Sequence, residues 1–303
     1  LWQASTSATI SLLYRKLLSY YAKMTIGATE FVPYQGHDFS MRGMSSLSSC
    51  ISSGMGHLVN FCGTDSIPAV QAIEHFYHGD MENNLIGCSI PATEHSVQCA
   101  YADDLQYLTD MITRVHPTGM VSIVCDGYDF WKFLTEILPQ LKDVIMNREG
   151  KVVIRPDSGD PVNIVCGDCN AQKESPEFKG AVEVLWDIFG GSLTPSGYRV
   201  LDPHVGLIYG DAITYQRASL ILKDLEINGF ASTNIVFGIG SYTYQYNTRD
   251  TFGYAIKSTA CVIHGKEKHI FKDPKTDDGI KKSQRGRVAV VNKNNSFEMI
   301  ENL

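Results

Sequence analysis

VIRPDSGDP, residues 153–161, is the stretch on which the fold turns. Val152, Val153 and Ile154 form a β-branched run that stops at Arg155, Pro156, Asp157, Ser158 and Gly159. That is the pattern of a buried strand delivering a cation, a carboxylate and a hydroxyl at its carboxyl end. In α/β folds the chemistry collects at such ends. The pattern recurs: VSIVC (121–125) runs into Asp126, HVGLIY (204–209) into Gly210 and Asp211, and NIVF (234–237) into Gly238 and Gly240. Turns favour Gly, Asp, Ser and Pro for backbone reasons alone, so one such end says little. Four in succession point to a shared active face.

Outward from these strands the chain alternates. Apolar residues at helical spacing predict helices over 128–146, near 181–189 and over 212–228, the last stopped by Asn228 and Gly229. Strand starts at 121, 151, 204 and 234 lie about 30 or 53 residues apart, and 30 residues is one βα unit. The longer interval holds Cys166, Cys169 and the polar run AQKESPE, which reads as a surface insertion. Upstream, HLVNF (57–61) and IGCSI (86–90) read as two further strands. A helix with Pro68 in its first turn follows the first, and a helix capped by Thr93 follows the second. Beyond Arg249 the runs are short and β-rich (TACVIHG, HIFKD, RVAVV). The expectation is an α/β protein: an irregular parallel (β/α) barrel over 1–248, with an adjoining β-rich segment over 249–303 belonging to a second domain that lacks its amino-terminal portion.

Bulk properties narrow the function. A chain of 303 residues, 44% of them hydrophobic, can bury a large core. Its net charge of −7 argues against general nucleic-acid or membrane affinity, and no apolar run reaches the roughly 18 residues of a membrane span. Eight cysteines without a repeated spacing imply reduced thiols and a cytoplasmic setting. Cys166 and Cys169 form the single CxxC, and neither a second pair nor histidines follow to complete a zinc site. The chain opens at Leu1 and ends at Leu303 with both ends looking cut, so a fragment of a longer polypeptide is expected.

Several side chains carry chemical content, each with a plainer alternative. In IPATEHS (90–96), His95 falls in the first turn of a helix, where the helix dipole favours a neutral ring that can act as nucleophile or donor; it could equally pack or cap. His75 and His78 share a helix face and read as solvated. Asp65 in NFCGTDSIP is either an N-cap or an acceptor aimed into the barrel mouth. HDFSMRG (37–43) offers Phe39 to stack on a flat ring and Arg42 for a phosphate. FGIGS (237–241) lets backbone N–H groups approach an anion, with Arg249 and Lys257 shortly after. A basic run over 266–287 follows, and no GxxxxGKS pattern is present.

HDFSMRG at 37, GTDS at 63, IPATEHS at 90, CDGYD at 125, VIRPDSGDP at 153, YGDAI at 209, FGIGS at 237, TRD at 248 and FKDP at 271 stand in an order and approximate spacing that resembles the nicotinamide phosphoribosyltransferase family of type II phosphoribosyltransferases. The resemblance runs from about residue 30 to about 290. It implies transfer of a phosphoribosyl group from phosphoribosyl pyrophosphate (PRPP) to nicotinamide with Mg²⁺, giving nicotinamide mononucleotide and pyrophosphate in NAD salvage. By the resemblance, Phe39 stacks on the pyridine ring, Asp65 accepts from the carboxamide, and Arg155 binds near carboxamide and pyrophosphate. Arg42 contacts phosphate. Asp157 and Asp211 hold ribose hydroxyls or hydrated Mg²⁺, with no direct metal ligand assigned. Asp129 orients the site beside His95, which ATP phosphorylates. Gly210, Gly240 and Ser241 receive the 5-phosphate. Arg249 and Lys257 do so from the other subunit of a homodimer, and Lys272 and Lys281 reach pyrophosphate or ATP. Two alternatives stay open: a nicotinate phosphoribosyltransferase, which the Asp65 carboxylate disfavours, and a non-catalytic ligand-binding or signalling protein that keeps the fold.

Overall fold

Alternation with a period of two builds the sheet. Val121 and Ile123, Val152 and Ile154, Leu207 and Tyr209, and Ile235, Phe237 and Ile239 are all buried in the core. The intervening residues, among them Ser122, Val153, Ile208 and Val236, line an internal cavity. The computed structural model describes residues 2–254, 256–271 and 283–301, with backbone alone at 249 and 250. It divides into two units, Leu1–Thr251 and Phe252–Leu303.

In the first unit, β1 (Gly36–Asp38), β2 (Gly63–Thr64), β3 (Val121–Val124) and β4 (Val152–Arg155) precede a small antiparallel hairpin, β5 (Gly191–Leu193) with β6 (Arg199–Leu201). Then come β7 (Val205–Tyr209) and β8 (Ile235–Ile239). Six of these strands form one sheet in the order β2-β1-β8-β7-β4-β3, every pairing parallel. The segment between β2 and β3 joins the two edges. Cys88 bridges Gly63 of β2, and Ala92 bridges Ser122 of β3, both parallel. Backbone hydrogen bonds from Thr64 to Cys88 (2.9 Å) and from Ser122 to Pro91 (2.8 Å) hold those contacts. The sheet is thereby curled into an irregular parallel barrel with one degenerate stave. Helices including Trp2–Thr25, Ala181–Phe189 and Tyr215–Ile227 cover its outside and contribute Tyr14, Leu18, Leu185, Ile221 and Leu222 to the core.

Four local expectations are corrected. HLVNF is not a strand: His57 and Leu58 finish the helix Leu47–Leu58. A short apolar run carries no periodicity to separate the two states. Packing decides here, because bare Gly56 lies so close to the first helix that a Cβ would meet Ala4 O at 2.6 Å. IGCSI is reduced to the Cys88 bridge. Thr93 does not cap the next helix; Glu94 does, accepting from Ser96 N, while Thr93 Oγ1 accepts from Val124 N at 2.9 Å and ties the closing segment to β3. The helix over 128–146 is broken into α, π and 3₁₀ turns. Pro139 in its middle has no N–H to donate and crowds the carbonyl four residues back.

The excursion after β4 is only partly a surface insertion. Pro161–Cys166 is a helix whose Val165 and Cys166 are buried in the core, whereas Cys169 is exposed. All eight cysteines are free. The second unit holds two antiparallel hairpins, β9 (Ala260–Ile263) with β10 (Lys266–His269), and β11 (Val288–Lys293) with β12 (Ser296–Glu301). Among the described residues no helix is long and apolar enough to cross a membrane.

Candidate active site

The carboxyl ends of β1, β2, β4, β7 and β8 open onto one cavity of about 670 Å³ in the first unit. Its wall contains Phe39, Arg42, Asp65, Arg155, Asp157, Gly210, Asp211, Gly240 and Ser241. Strand pairing brings these distant motifs to one rim, because parallel strands in register end on the same side.

Phe39 leaves β1 with its N–H bonded to Ile239 O at 3.0 Å. Its ring fills the space that side chains on two neighbouring strands would need. A Cβ on Gly238 would lie 2.3 Å from the ring, and one on Gly210 2.8 Å. Gly210, expected at the 5-phosphate, lies in the cavity wall and also helps seat the aromatic ring. The following turn, Met41–Gly43, packs on the short helix Ser241–Gln245 that follows β8. A Cβ on Gly43 would fall 2.0 Å from Ser241 Oγ, and Ser45 N donates to Gln245 Oε1 at 2.7 Å. Arg42 is thus carried to the side of the cavity that holds Gly240 and Ser241.

Asp65 is not an N-cap. Ser66 occupies that position, without a side-chain hydrogen bond, and Asp65 turns to other side chains. Its Oδ1 accepts from His37 Nε2 at 2.9 Å and from Ser89 Oγ at 2.7 Å. Burial pushes the Asp65 pKa up, but the hydrogen bond and charge of His37, the Ser89 hydroxyl and the Arg155 charge outweigh it and leave the carboxyl below its ordinary range. Its Oδ2 has no hydrogen-bond partner among the described residues. Arg155 donates through Nη2 to Thr93 O, and its Nε is buried without a partner among the described residues. An acceptor oxygen and a guanidinium donor thus share a cavity with an aromatic face.

At the RPDSG turn, Gly159 adopts φ +89°, a conformation costly for any side-chain-bearing residue. Tyr209 Oη donates to the carbonyls of Ser158 (2.9 Å) and Gly159 (3.0 Å), clamping the turn. Burial raises the Asp157 pKa above the usual carboxylate range; the Arg155 and Arg42 charges pull it down and the Asp126 and Asp211 charges push it further up.

His95 and Asp129 are not in the cavity wall. His95 Nε2 lies 2.9 Å from Asp126 Oδ1. The other Asp126 oxygen accepts from Asp157 N at 2.9 Å and Ser158 Oγ at 2.5 Å. The Asp126 side chain is 3% exposed. Its burial alone would raise its pKa, yet the Ser158, Asp157 and His95 hydrogen bonds hold it below the ordinary value. An ionised Asp126 accepts the Nε2 proton and leaves the Nδ1 lone pair of His95 free to act. Asp129, expected beside His95, instead caps the helix starting at Phe130 by accepting from Lys132 N at 3.0 Å. The acid that follows strand β3 directly is the partner, so the strand-end rule identifies Asp126 and the capping rule identifies Asp129. His37 and Ser89 also belong to the site without a local motif that marks them, and only the inward alternation of His37 with Phe39 signals the former. His75 and His78 are exposed. Lys257 is exposed in the second unit, while Lys272, Lys281 and the Arg249 side chain lie outside the described residues.

The chain is 50% identical to a nicotinamide phosphoribosyltransferase of Acinetobacter baylyi over 99% of its own length and 61% of that protein. It is 39% identical to one of Mycoplasma pneumoniae, covering 91% of this chain and 58% of the other. A third, of Xanthomonas campestris pv. campestris, is 34% identical over 96% of this chain and 59% of its own. The chain thus spans about three fifths of these relatives. Nicotinate-nucleotide pyrophosphorylase from Pyrococcus furiosus aligns over 80% of this chain and 47% of its own at 12% identity and a TM-score of 0.49. The family whose model matches residues 34–300 is described as the nicotinate phosphoribosyltransferase (NAPRTase) family. On that match and those identities, the chain belongs to the nicotinate phosphoribosyltransferase family.

Proposed function

We propose that this chain carries the acceptor-base and phosphoribosyl sites of an enzyme that transfers the phosphoribosyl group of PRPP to nicotinamide, forming nicotinamide mononucleotide and pyrophosphate for NAD biosynthesis. The pyridine nitrogen attacks the anomeric carbon as the bond to pyrophosphate breaks. Such a displacement has oxocarbenium character, so the protein must orient the nucleophile and stabilise the departing anion. Phe39 supplies the stacking face. Asp65 Oδ2 accepts a carboxamide N–H, and Arg155 Nε donates to the carboxamide oxygen. Arg42, Gly240 and Ser241 take the phosphate end, with Arg249 and Lys257 contributed by the second subunit of a homodimer and Lys272 and Lys281 toward pyrophosphate or ATP. The reaction is assigned to the cytoplasm.

The residues at the mouth suit Mg²⁺. Asp157 and Asp211 are hard oxygen donors within electrostatic reach of each other, and among the described residues no group of three metal-ligating side chains would hold an ion alone. A Mg²⁺ held by Asp157 and Asp211 would supply charge neutralisation for the departing pyrophosphate. His95, with Asp126 holding Nε2–H, receives the terminal phosphoryl group of ATP on Nδ1 as ADP departs, coupling ATP hydrolysis to synthesis.

The observation that carries the reading is Asp65, one oxygen held by His37 and Ser89 and the other without a hydrogen-bond partner among the described residues, in the same wall as Phe39 and Arg155. It favours the amide over nicotinate, whose own carboxylate would face it in a partly desolvated site. The test incubates the chain with nicotinamide, PRPP and Mg²⁺, with and without ATP, and follows nicotinamide mononucleotide by mass-resolved chromatography. ATP-stimulated product is expected, and Asp65→Asn relaxes the preference over nicotinate. No product from a folded, PRPP-binding chain, or an unchanged preference in the variant, overturns the assignment.

A further inference from the structure

Asp65 does not set the choice between amide and acid by itself: its side chain is half exposed at the cavity wall, and the part of it taken out of water favours the protonated form. A protonated Asp65 could donate to a carboxylate, and the discrimination would be lost. What stands against this is the neighbour on the adjacent strand. His37 is buried, its side chain 11% exposed, and its Nε2 lies 2.9 Å from Asp65 Oδ1.

The ring has one seat. His37 pairs with Gly63 of β2 and Gly238 of β8, and a Cβ on Gly63 would come within 2.7 Å of His37 Nδ1. Bare Gly63 therefore lets the imidazole lie across β2 and reach the acid two residues further along. Phe39 stands against it at 4.9 Å between ring centroids. The titratable and charged groups around the pair are few. Ser89 Oγ shares Asp65 Oδ1, and Arg155 on β4 acts on Asp65 through its charge. Behind His37, buried His57 is committed to Gly63 O (2.9 Å) and Tyr244 Oη (2.6 Å), and burial lowers its pKa. Buried Asp38 accepts from Ser40 N at 2.8 Å.

Resting on the proposed amide-binding role of this cavity, we propose that His37 is a specificity-determining positioning residue. Its Nε2–H keeps Asp65 ionised, with Oδ2 turned to the cavity, so that selection of a neutral pyridine amide over a pyridine acid belongs to the His37–Asp65 pair. Ser89 alone does not replace it, because one neutral hydroxyl on Oδ1 is a weaker anchor for the half-exposed carboxylate than the imidazole N–H and hydroxyl together.

The experiment compares wild type, His37→Leu, which removes the donor, and His37→Gln, which keeps an N–H near the position of Nε2. For each, kcat/KM with nicotinamide and with nicotinate is measured from about pH 5.5 to 8, and the Asp65 carboxyl is titrated by ¹³C NMR of Asp-labelled chain. In His37→Leu the Asp65 titration should move to higher pH. The nicotinamide-to-nicotinate ratio should fall about tenfold or more at the acid end, the size of one lost charge-assisted hydrogen bond, and recover as pH rises. His37→Gln should restore most of both. A His37→Leu chain with an unmoved Asp65 titration, or with a full ratio independent of pH, overturns the proposal. If wild type makes no nicotinamide mononucleotide, the functional reading fails, while the pairing is still decided by the Asp65 titration.

Discussion

Asp126 holds three donors on two oxygens, and each comes from a different functional residue: His95, Asp157 and Ser158. Asp126→Asn retains only part of this acceptor set, so the folded chain should lose about 1–3 kcal/mol in urea denaturation near neutral pH. Its pH dependence has a definite sign. The folded pKa lies below the ordinary 3.8, so the contribution is complete above that value and disappears as pH falls through the lowered one. The gap in stability between wild type and Asp126→Asn should therefore close between about pH 5 and pH 2, and a gap constant over that range refutes the linkage. His95→Ala should abolish ATP stimulation and leave slower basal synthesis, since the ring is outside the cavity wall. Equal stimulation by ATP in the variant rejects a phosphoryl-accepting role. Asp157 has a pKa raised by burial, with Asp211 among the charges adding to it. Asp211→Asn should move the acid limb of the kcat/KM profile to lower pH, because removing a like charge eases Asp157 ionisation.

At the level of elements, the decisive contacts are made by glycines that the strands bring edge to edge. Gly238 on β8 and Gly210 after β7 leave the slot that Phe39 fills. Gly238→Ala would place a methyl carbon 2.3 Å from the ring, so the aromatic face must leave its position. An increase in KM for nicotinamide of about tenfold is expected, with a stability loss of about 1–3 kcal/mol from overpacking; unchanged KM would show that the ring does not form the base subsite. Strand β4 and its turn were legible because a β-branched run ending in Arg-Pro-Asp-Ser-Gly has few other readings. The run at 57–61 was not, because a run this short, with Leu58, Val59 and Phe61 its apolar residues, has no periodicity that separates helix from strand. The tight seating of Gly56 on the first helix, a non-local contact, made it helix.

Over the whole chain, the large apolar cluster draws its residues from Tyr14 to Tyr244, all within the first unit. A chain ending at Thr251 should accordingly keep a single cooperative urea transition with its midpoint little changed, and a broad or multiphasic transition would contradict that placement of the core. The second unit is different. Nearly all of β11 and β12 is exposed, including Val290, Phe297 and Met299, and an isolated two-stranded hairpin is marginal in water. Amides over 288–301 should exchange far faster than those of β3, β4 and β7, which hydrogen-exchange mass spectrometry reads directly.

Strands β3, β4, β7 and β8, the acid or glycine that follows each, and the motifs that mark the family were determined by the sequence, because period-two burial and turn chemistry are local properties of a few consecutive residues. Closure of the barrel by the Cys88 and Ala92 bridges, the choice of Asp126 over Asp129 as partner of His95, and the pairing of His37 with Asp65 were decided only by the tertiary structure. These contacts join residues 25 to 31 positions apart in the chain, and their geometry depends on strand register and on which neighbours lack a side chain. Nothing in the local pattern of HDF or CDGYD encodes that register. It emerges when parallel strands align their ends and the barrel shuts.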